Sequence, residues 1–300
     1  MSERKRAIVN IFYNRPQYAE EVLDGLRQQV WEGRMKKYSY FCFLDGPKKE
    51  SDEEAVEDNK HFVVDFLREL DDYFVESTII ERPRNYGCDD NIFDALAQLF
   101  LVNKMDEVIV LEEDIVPLKG FLEWMEWGLD NLVGKEIEHC CKKCKVFNVT
   151  GFSEPRNKVE DPTSYFLARW FTPWGWATSR EAINKSWYGD MLLQKKSFDK
   201  PVHNLVDMAV KYHPHKETSQ FIKLDEQGNV AHVSGGWDNL TNIVGEIEEK
   251  YQATPVVPRT KNIGRIGLHQ NGTYLWPELI ERKTTTDDYD LVSDGFHEVA

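Results

Sequence analysis

Val108-Ile109-Val110-Leu111-Glu112-Glu113-Asp114-Ile115-Val116-Pro117 joins four β-favouring apolar residues to three carboxylates in a row. An unbroken apolar run of that length reads as a short strand buried on both faces, as in a parallel sheet. Acids at the end of a buried strand are costly unless a cation or hydrogen-bond donors compensate them. In open α/β sheets, ligands bind just beyond the carboxyl ends of the strands. A divalent metal carrying a phosphorylated ligand would use that position and balance the charge. An exposed acidic turn is the competing reading.

Upstream, residues 7–12 and 38–44 read as strands, closed by Tyr13-Asn14-Arg15-Pro16 and by Asp45-Gly46-Pro47. Pro16 suits the first turn of a helix, where its missing N–H costs nothing. Tyr18, Val22 and Leu26 follow at helical spacing. Phe62, Val63, Phe66 and Leu67 mark a second helix, residues 77–81 a third strand, and 82–87 a loop rich in donors. Ile92, Leu96, Leu99 and Phe100 face inward from the helix before the acidic strand, and Leu122, Met125, Leu129 and Leu132 from the one after it. This strand–helix alternation implies a mostly parallel central sheet flanked by helices. The loops contain neither G-x-G-x-x-G nor G-K-[ST], so a dinucleotide fingerprint and a P-loop are both absent.

The second half is less regular. Residues 145–150 read as a strand, and Trp170-Phe171-Thr172-Pro173-Trp174-Gly175-Trp176-Ala177 is an aromatic segment. Gly235-Gly236-Trp237-Asp238-Asn239 opens a helical pattern of Leu240, Ile243, Val244 and Ile247. A Gly-rich loop at 264–272 contains His269, and an acidic tail at 276–300 is expected to be mobile. Residues 196–225 are polar and carry no assignable pattern.

Composition narrows the function. A net charge of −15 argues against a broad nucleic-acid footprint, which would be basic. No apolar run reaches the length of a membrane span, and the charged start followed by a six-residue apolar run is a first strand rather than a signal peptide. Five Cys, an odd number at irregular spacing, point to a reduced, cytoplasmic protein. His139-Cys140-Cys141-Lys142-Lys143-Cys144 holds a C-x-x-C pair, but no fourth zinc ligand lies at suitable spacing.

Four blocks, in order, resemble the metal-dependent glycosyltransferases of the GT-A fold, notably N-acetylglucosaminyltransferase I-type enzymes and bacterial sugar-nucleotide transferases. The first is Val9-Asn10-Ile11-Phe12-Tyr13-Asn14-Arg15-Pro16 with Phe43-Leu44-Asp45-Gly46-Pro47. The second is Leu111-Glu112-Glu113-Asp114, similar to the family's Glu-Asp-Asp triplet, and the third is Pro173-Trp174-Gly175-Trp176-Ala177. The fourth joins Gly236-Trp237-Asp238-Asn239 to Arg259-Thr260-Lys261-Asn262-Ile263-Gly264 and His269.

The resemblance implies one domain over residues 1–275, with a donor-binding half at 1–120 and an acceptor-side half at 121–275. It implies an inverting transfer from a nucleotide-diphosphate sugar, a UDP-sugar being expected, to a hydroxyl of a glycan, lipid-linked sugar, protein or modified nucleic acid. Asp114 takes the place of the metal ligand for Mn2+ or Mg2+, with Glu112 and Glu113 as supporting acids. Glu113 stands where the family often has Asp, so a water-mediated contact is expected of it. Asp45 resembles the acid that contacts the nucleotide base, and Asn14, Arg15 and Asn85 lie in the expected nucleotide loops. Asp238 resembles the catalytic base.

Chemistry supports the same set independently. A nucleoside diphosphate leaves readily only when its charge is neutralised, and oxygen ligands suit Mg2+ or Mn2+. A carboxylate suffices as the base for the acceptor hydroxyl. Trp174 and Trp176 offer faces for a sugar, although aromatic clusters usually belong to the core. His269 offers a contact to phosphate or sugar, or serves structure alone. Asp238 fits an N-cap as readily as a base, and then Glu154, Asp190 or Asp225 would have to supply the base. A sugar-nucleotide-binding protein without catalysis and a nucleotidyltransferase are the alternatives. The second would want a Gly-rich basic loop after the first strand, which Tyr13-Asn14-Arg15-Pro16 does not supply.

Overall fold

A computed structural model of the chain describes residues 4–31, 37–139, 142–153, 161–184, 222–224, 227, 230–233, 236–264 and 296–298. The first half alternates as the apolar spacing dictates: β1 (Arg6–Phe12), α1 (Pro16–Trp31), β2 (Tyr38–Leu44), α2 (Glu53–Leu70), β3 (Ser77–Glu81), α3 (Gly87–Ala97) and β4 (Glu107–Glu112). These strands are all parallel, in the order β3-β2-β1-β4. The chain steps outward from β1 to β3 and then returns to β4 on the other side of β1. Right-handed crossovers therefore place α1 and α2 on one face and α3 on the other.

The second half contributes β5 (Ile115–Pro117), α4 (Phe121–Asn131), β6 (Glu136–His139), β7 (Lys142–Thr150), β8 (Ser164–Ala168), β9 (Trp176–Ser179) and α5 (Arg180–Asn184). After these come β10 (Ile222–Leu224), β11 (Val230–Val233), α6 (Trp237–Glu248), β12 (Lys250–Pro255), β13 (Thr260–Asn262) and β14 (His297–Glu298). Among the described residues the main sheet has ten strands, ordered β14-β8-β12-β7-β9-β4-β1-β2-β3 with β6 paired to β7. β9 runs antiparallel between β4 and β7, and β8 antiparallel to β12, so the sheet is parallel on one side and mixed on the other.

The core sits where the pattern places it. Ile8, Val9, Phe12, Tyr40, Phe41, Phe43, Val108, Ile109 and Leu111 are almost wholly buried in the central strands. α4 lies against the same face as α1, since Gln29 of α1 donates to the Leu118 carbonyl at 3.2 Å and accepts the Leu122 amide at 3.4 Å. Helix α6 packs on α3 on the opposite face. The sequence reading left residues 164–168 and 250–255 without elements, and they are the strands β8 and β12 of the main sheet. The expectation of a mobile tail also needs correcting for residues 296–298: Phe296 packs on Trp124 and Trp127, and β14 pairs with β8. No helix among the described residues is long and apolar enough to cross a membrane.

Candidate functional site

The carboxyl ends of β1, β2 and β4 meet at one edge of the sheet, and the short ribbon β5–β13 crosses it. β4 ends at Glu112, and Glu113-Asp114 forms the turn into β5. The three acids diverge in use. Glu113 is buried and turned toward the loop after β1, where it accepts the Tyr13 amide at 2.7 Å and pairs with the Arg15 guanidinium. Both of its oxygens thus serve that loop. Asp114 accepts from Arg15 Nη1 at 2.9 Å and rests against Gly264, while its carbonyl takes the Ile263 amide at 2.9 Å. The 259–264 segment, far away in sequence, thus closes over Asp114.

Glu112, at the end of β4, is half-buried. Burial is the first cause that pushes its carboxyl up to about 8, and the nearby charges of Asp114 and Asp238 add to it. Arg15 and the Cys88 thiol, at 3.7 Å, act in the opposite sense. Asp238 comes from the first turn of α6, and burial raises its proton affinity with Asp89 adding to the shift. The N-cap of α6 is Gly236, without a side-chain cap, and the Trp237 amide donates instead to Asp89 Oδ1 at 2.9 Å. Asp238 follows that cap position, and backbone amides of its own turn reach its carboxylate.

Asp45 departs from the reading given it. Its Oδ1 accepts the Gly46 amide at 3.0 Å and the Tyr86 amide at 2.7 Å. Its Oδ2 accepts the Gly87 amide at 2.9 Å and Asn85 Nδ2 at 3.0 Å. A carboxylate offers about four acceptor positions, so none is left for a nucleotide base. Asp45 and Asn85 tie the loop at 85–87 to β2 and satisfy the first amides of α3. Asn14 sits beside Asp52 at 3.4 Å, and Tyr13 donates its hydroxyl to Asp52 at 2.7 Å. A cavity of about 260 Å³ opens next to Asp45, between Pro47, Val56, Lys60 and Arg82. A larger one, about 730 Å³, lies at the opposite end of β4, where Arg180 pairs with Asp106 and Arg4 with Glu107.

The two tryptophans separate. Trp176 is 1% exposed, T-shaped to Phe171 and stacked on Trp237 with centroids 5.6 Å apart, so it has no face for a sugar. This corrects its place among the ligand residues. Trp174 is half-buried, edge to face with Phe152 at 4.3 Å, close to the sheet edge. His269, Glu154, Asp190 and Asp225 lie outside the described residues, as do Cys140 and Cys141. Cys144 is a buried strand residue. Cys88, Asp89 and Asp52 were missed in the sequence because nothing local marks them. The acidic start of α3 is the one signal available, and it reads as ordinary helix chemistry.

Among the described residues, no three His, Cys, Asp or Glu side chains converge closely enough to hold a metal by themselves. The donor chemistry nevertheless fits a hard divalent cation. Asp114 and Asp238 bring negative charge near Glu112, where burial first and then those charges raise the carboxyl, and Arg15 pairs with Asp114. Mg2+-like ions commonly take only one or two protein carboxylates and complete their shell with phosphate and water.

No family model and no curated protein matches the chain. Among solved structures it is similar to a mannosyltransferase from Pyrobaculum calidifontis in complex with GDP-mannose and Mn2+, at 15% identity and a TM-score of 0.40. That match covers 86% of this chain and 59% of the mannosyltransferase, so the chain spans less than two thirds of that protein. It is also similar to mouse xyloside xylosyltransferase 1 in its apo form, at 12% identity, a TM-score of 0.40 and 82% coverage of both chains.

Proposed function

We propose that this chain is a GT-A glycosyltransferase that moves a sugar from a nucleotide-diphosphate sugar to an acceptor hydroxyl with the help of Mn2+ or Mg2+. The observation that carries the reading is the gathering of Glu112, Asp114 and Asp238 at the carboxyl edge of the sheet, from a strand end, a turn and a distant helix. Asp114 holds the cation in this reading, with Glu112 in support. When bound, the cation neutralises the charge that develops on the leaving diphosphate.

The chain's own residues do the rest. Arg15 orients Asp114 through the 2.9 Å pair. Asp238 takes the proton of the acceptor hydroxyl as that oxygen attacks the anomeric carbon from the face opposite the diphosphate, which inverts the centre. Its raised proton affinity improves it as a base, provided the working pH leaves it ionised. Trp174 borders the sugar. The uridine preference and the acceptor class rest on the sequence resemblance.

The test is turnover of UDP- and GDP-sugars, read as released nucleoside diphosphate, with Mn2+, with Mg2+ and in chelator. Activity is expected with a divalent ion alone. Asp114→Asn is expected to fold, to lose most turnover and to lose the cation-dependent thermal stabilisation by nucleoside diphosphate. Full turnover in chelator, or unimpaired Asp114→Asn, overturns the metal assignment.

A further inference from the structure

Helix α6 is capped at Gly236, a residue without a side chain. The free amides of a first turn need partners. The partner arrives from another helix, since Asp89 in the first turn of α3 accepts the Trp237 amide at 2.9 Å. A Cβ at position 236 would run into that same Asp89 oxygen, so glycine is what lets the carboxylate approach. The α3 end is itself held by a borrowed group. Asp45, at the end of β2, accepts the Tyr86 and Gly87 amides. Two borrowed caps therefore run in series, from β2 to α3 and from α3 to α6. They end one residue before Asp238.

We propose that Asp89 is the positioning residue for Asp238, clamping the first turn of α6 so that the Asp238 carboxylate faces the Glu112–Asp114 edge. The assignment rests on the reading of Asp238 as the base and adds the part that places it. The clamp joins the donor side, which carries α3, to the acceptor side, which carries α6. A misplacement of about 1 Å at a reacting group can cost about a hundredfold in rate, so such a contact matters to the chemistry as well as to the helix. Asp89 also brings charge. Among the described residues, the ionisable groups around Asp238 are Asp89 and Cys88 from α3 and Glu112 from β4, while backbone amides of its own turn oppose them.

Two variants of the full chain separate the clamp from a merely structural cap. Asp89→Asn keeps an acceptor oxygen and removes the charge, and Asp89→Ala removes both. The first measurement is amide exchange over residues 236–240, which requires no activity. Exchange is expected to stay slow in Asp89→Asn and to accelerate about tenfold or more in Asp89→Ala. Unchanged exchange in Asp89→Ala overturns the clamp.

The second measurement sets transfer rate beside calorimetric binding of nucleoside diphosphate with Mn2+. Asp89→Ala is expected to lose about tenfold or more in turnover with unchanged affinity and stoichiometry. Asp89→Asn is expected to recover most of that rate, with the acid limb of its pH profile moved to lower pH because a negative neighbour has gone. Wild-type turnover in Asp89→Ala, or a stoichiometry that falls in step with turnover, overturns the positioning role. A wild type that transfers no sugar refutes the proposed function, while the exchange measurement still judges the clamp.

Discussion

At the scale of single residues, Asp238 and Tyr13 give the sharpest tests. Asp238 follows the cap position of α6, so Asn in its place costs little stability and cannot accept a proton. Asp238→Asn is expected to stay within about 1 kcal/mol of wild type in denaturant and to lose about 10²–10⁴-fold in transfer. Nucleotide binding should survive, and transfer within threefold of wild type would remove Asp238 from the chemistry. Tyr13 makes a pH prediction. Burial, then the hydrogen bond to Asp52, raises its hydroxyl to about 12 from an ordinary value near 10. The folded state therefore holds this proton longer than the unfolded state does. Its contribution is complete below pH 10 and is lost as pH rises to 12. Unfolding free energy should fall across that window, and fall less steeply in Tyr13→Phe. Equal slopes would assign the alkaline loss to other groups, Tyr165 among them, which is also raised to about 12. The acids of the site were legible as residue types, but their separate uses were not. Which of Glu112, Glu113 and Asp114 faces Arg15 depends on how a turn is twisted, and spacing along the chain does not encode that.

At the scale of elements, the contact of α4 with β7 shows how closely helix and sheet approach. Gly128 lies on the buried side of α4, and a Cβ there would come within 2.6 Å of Val149 Cγ1. Alanine favours a helix over glycine by about 1 kcal/mol. Here the clash should outweigh that gain, because overpacking a tight core costs about 1–3 kcal/mol. Gly128→Ala is expected to lower the denaturation midpoint, and Val149→Ala in the same background to restore part of it. Additive losses would show that the two positions do not compete for space. One element that escaped the sequence reading shows a plain cause. β12 is Lys250-Tyr251-Gln252-Ala253-Thr254-Pro255, too polar to read as a buried strand. It is buried because its polar groups are matched. Gln252 accepts the Thr172 amide at 2.9 Å and donates to the Thr172 carbonyl at 3.2 Å, while Lys250 pairs with Glu248 at 2.6 Å.

At the scale of the molecule, the C-terminal residues close an aromatic layer. Phe296 lies 4.9 Å from Trp124 and 5.3 Å from Trp127, and the Arg259 guanidinium sits over its ring at 5.7 Å. β14 adds a short strand to the edge of β8. Phe296→Ala should therefore destabilise the whole domain, by roughly 1–3 kcal/mol for a half-buried ring. The thermal midpoint is expected to fall by about 2–6 °C. Tryptophan emission should shift to longer wavelength as Trp127 meets water. An unchanged midpoint and spectrum would mean that this segment does not seal the layer in solution.

The sequence by itself determined the alternating half of the protein, the strand that ends in acids, and the helix that carries Asp238. Those features follow from local periodicity and from the few residue types that start and stop elements. Only the tertiary structure decided that Asp45 caps a helix, that Trp176 is core, that Arg15 pairs with the acids and that Asp89 reaches Trp237. Each of these is a contact between segments far apart in the chain. Such pairings are chosen by which buried donors and acceptors can satisfy one another once the sheet has formed.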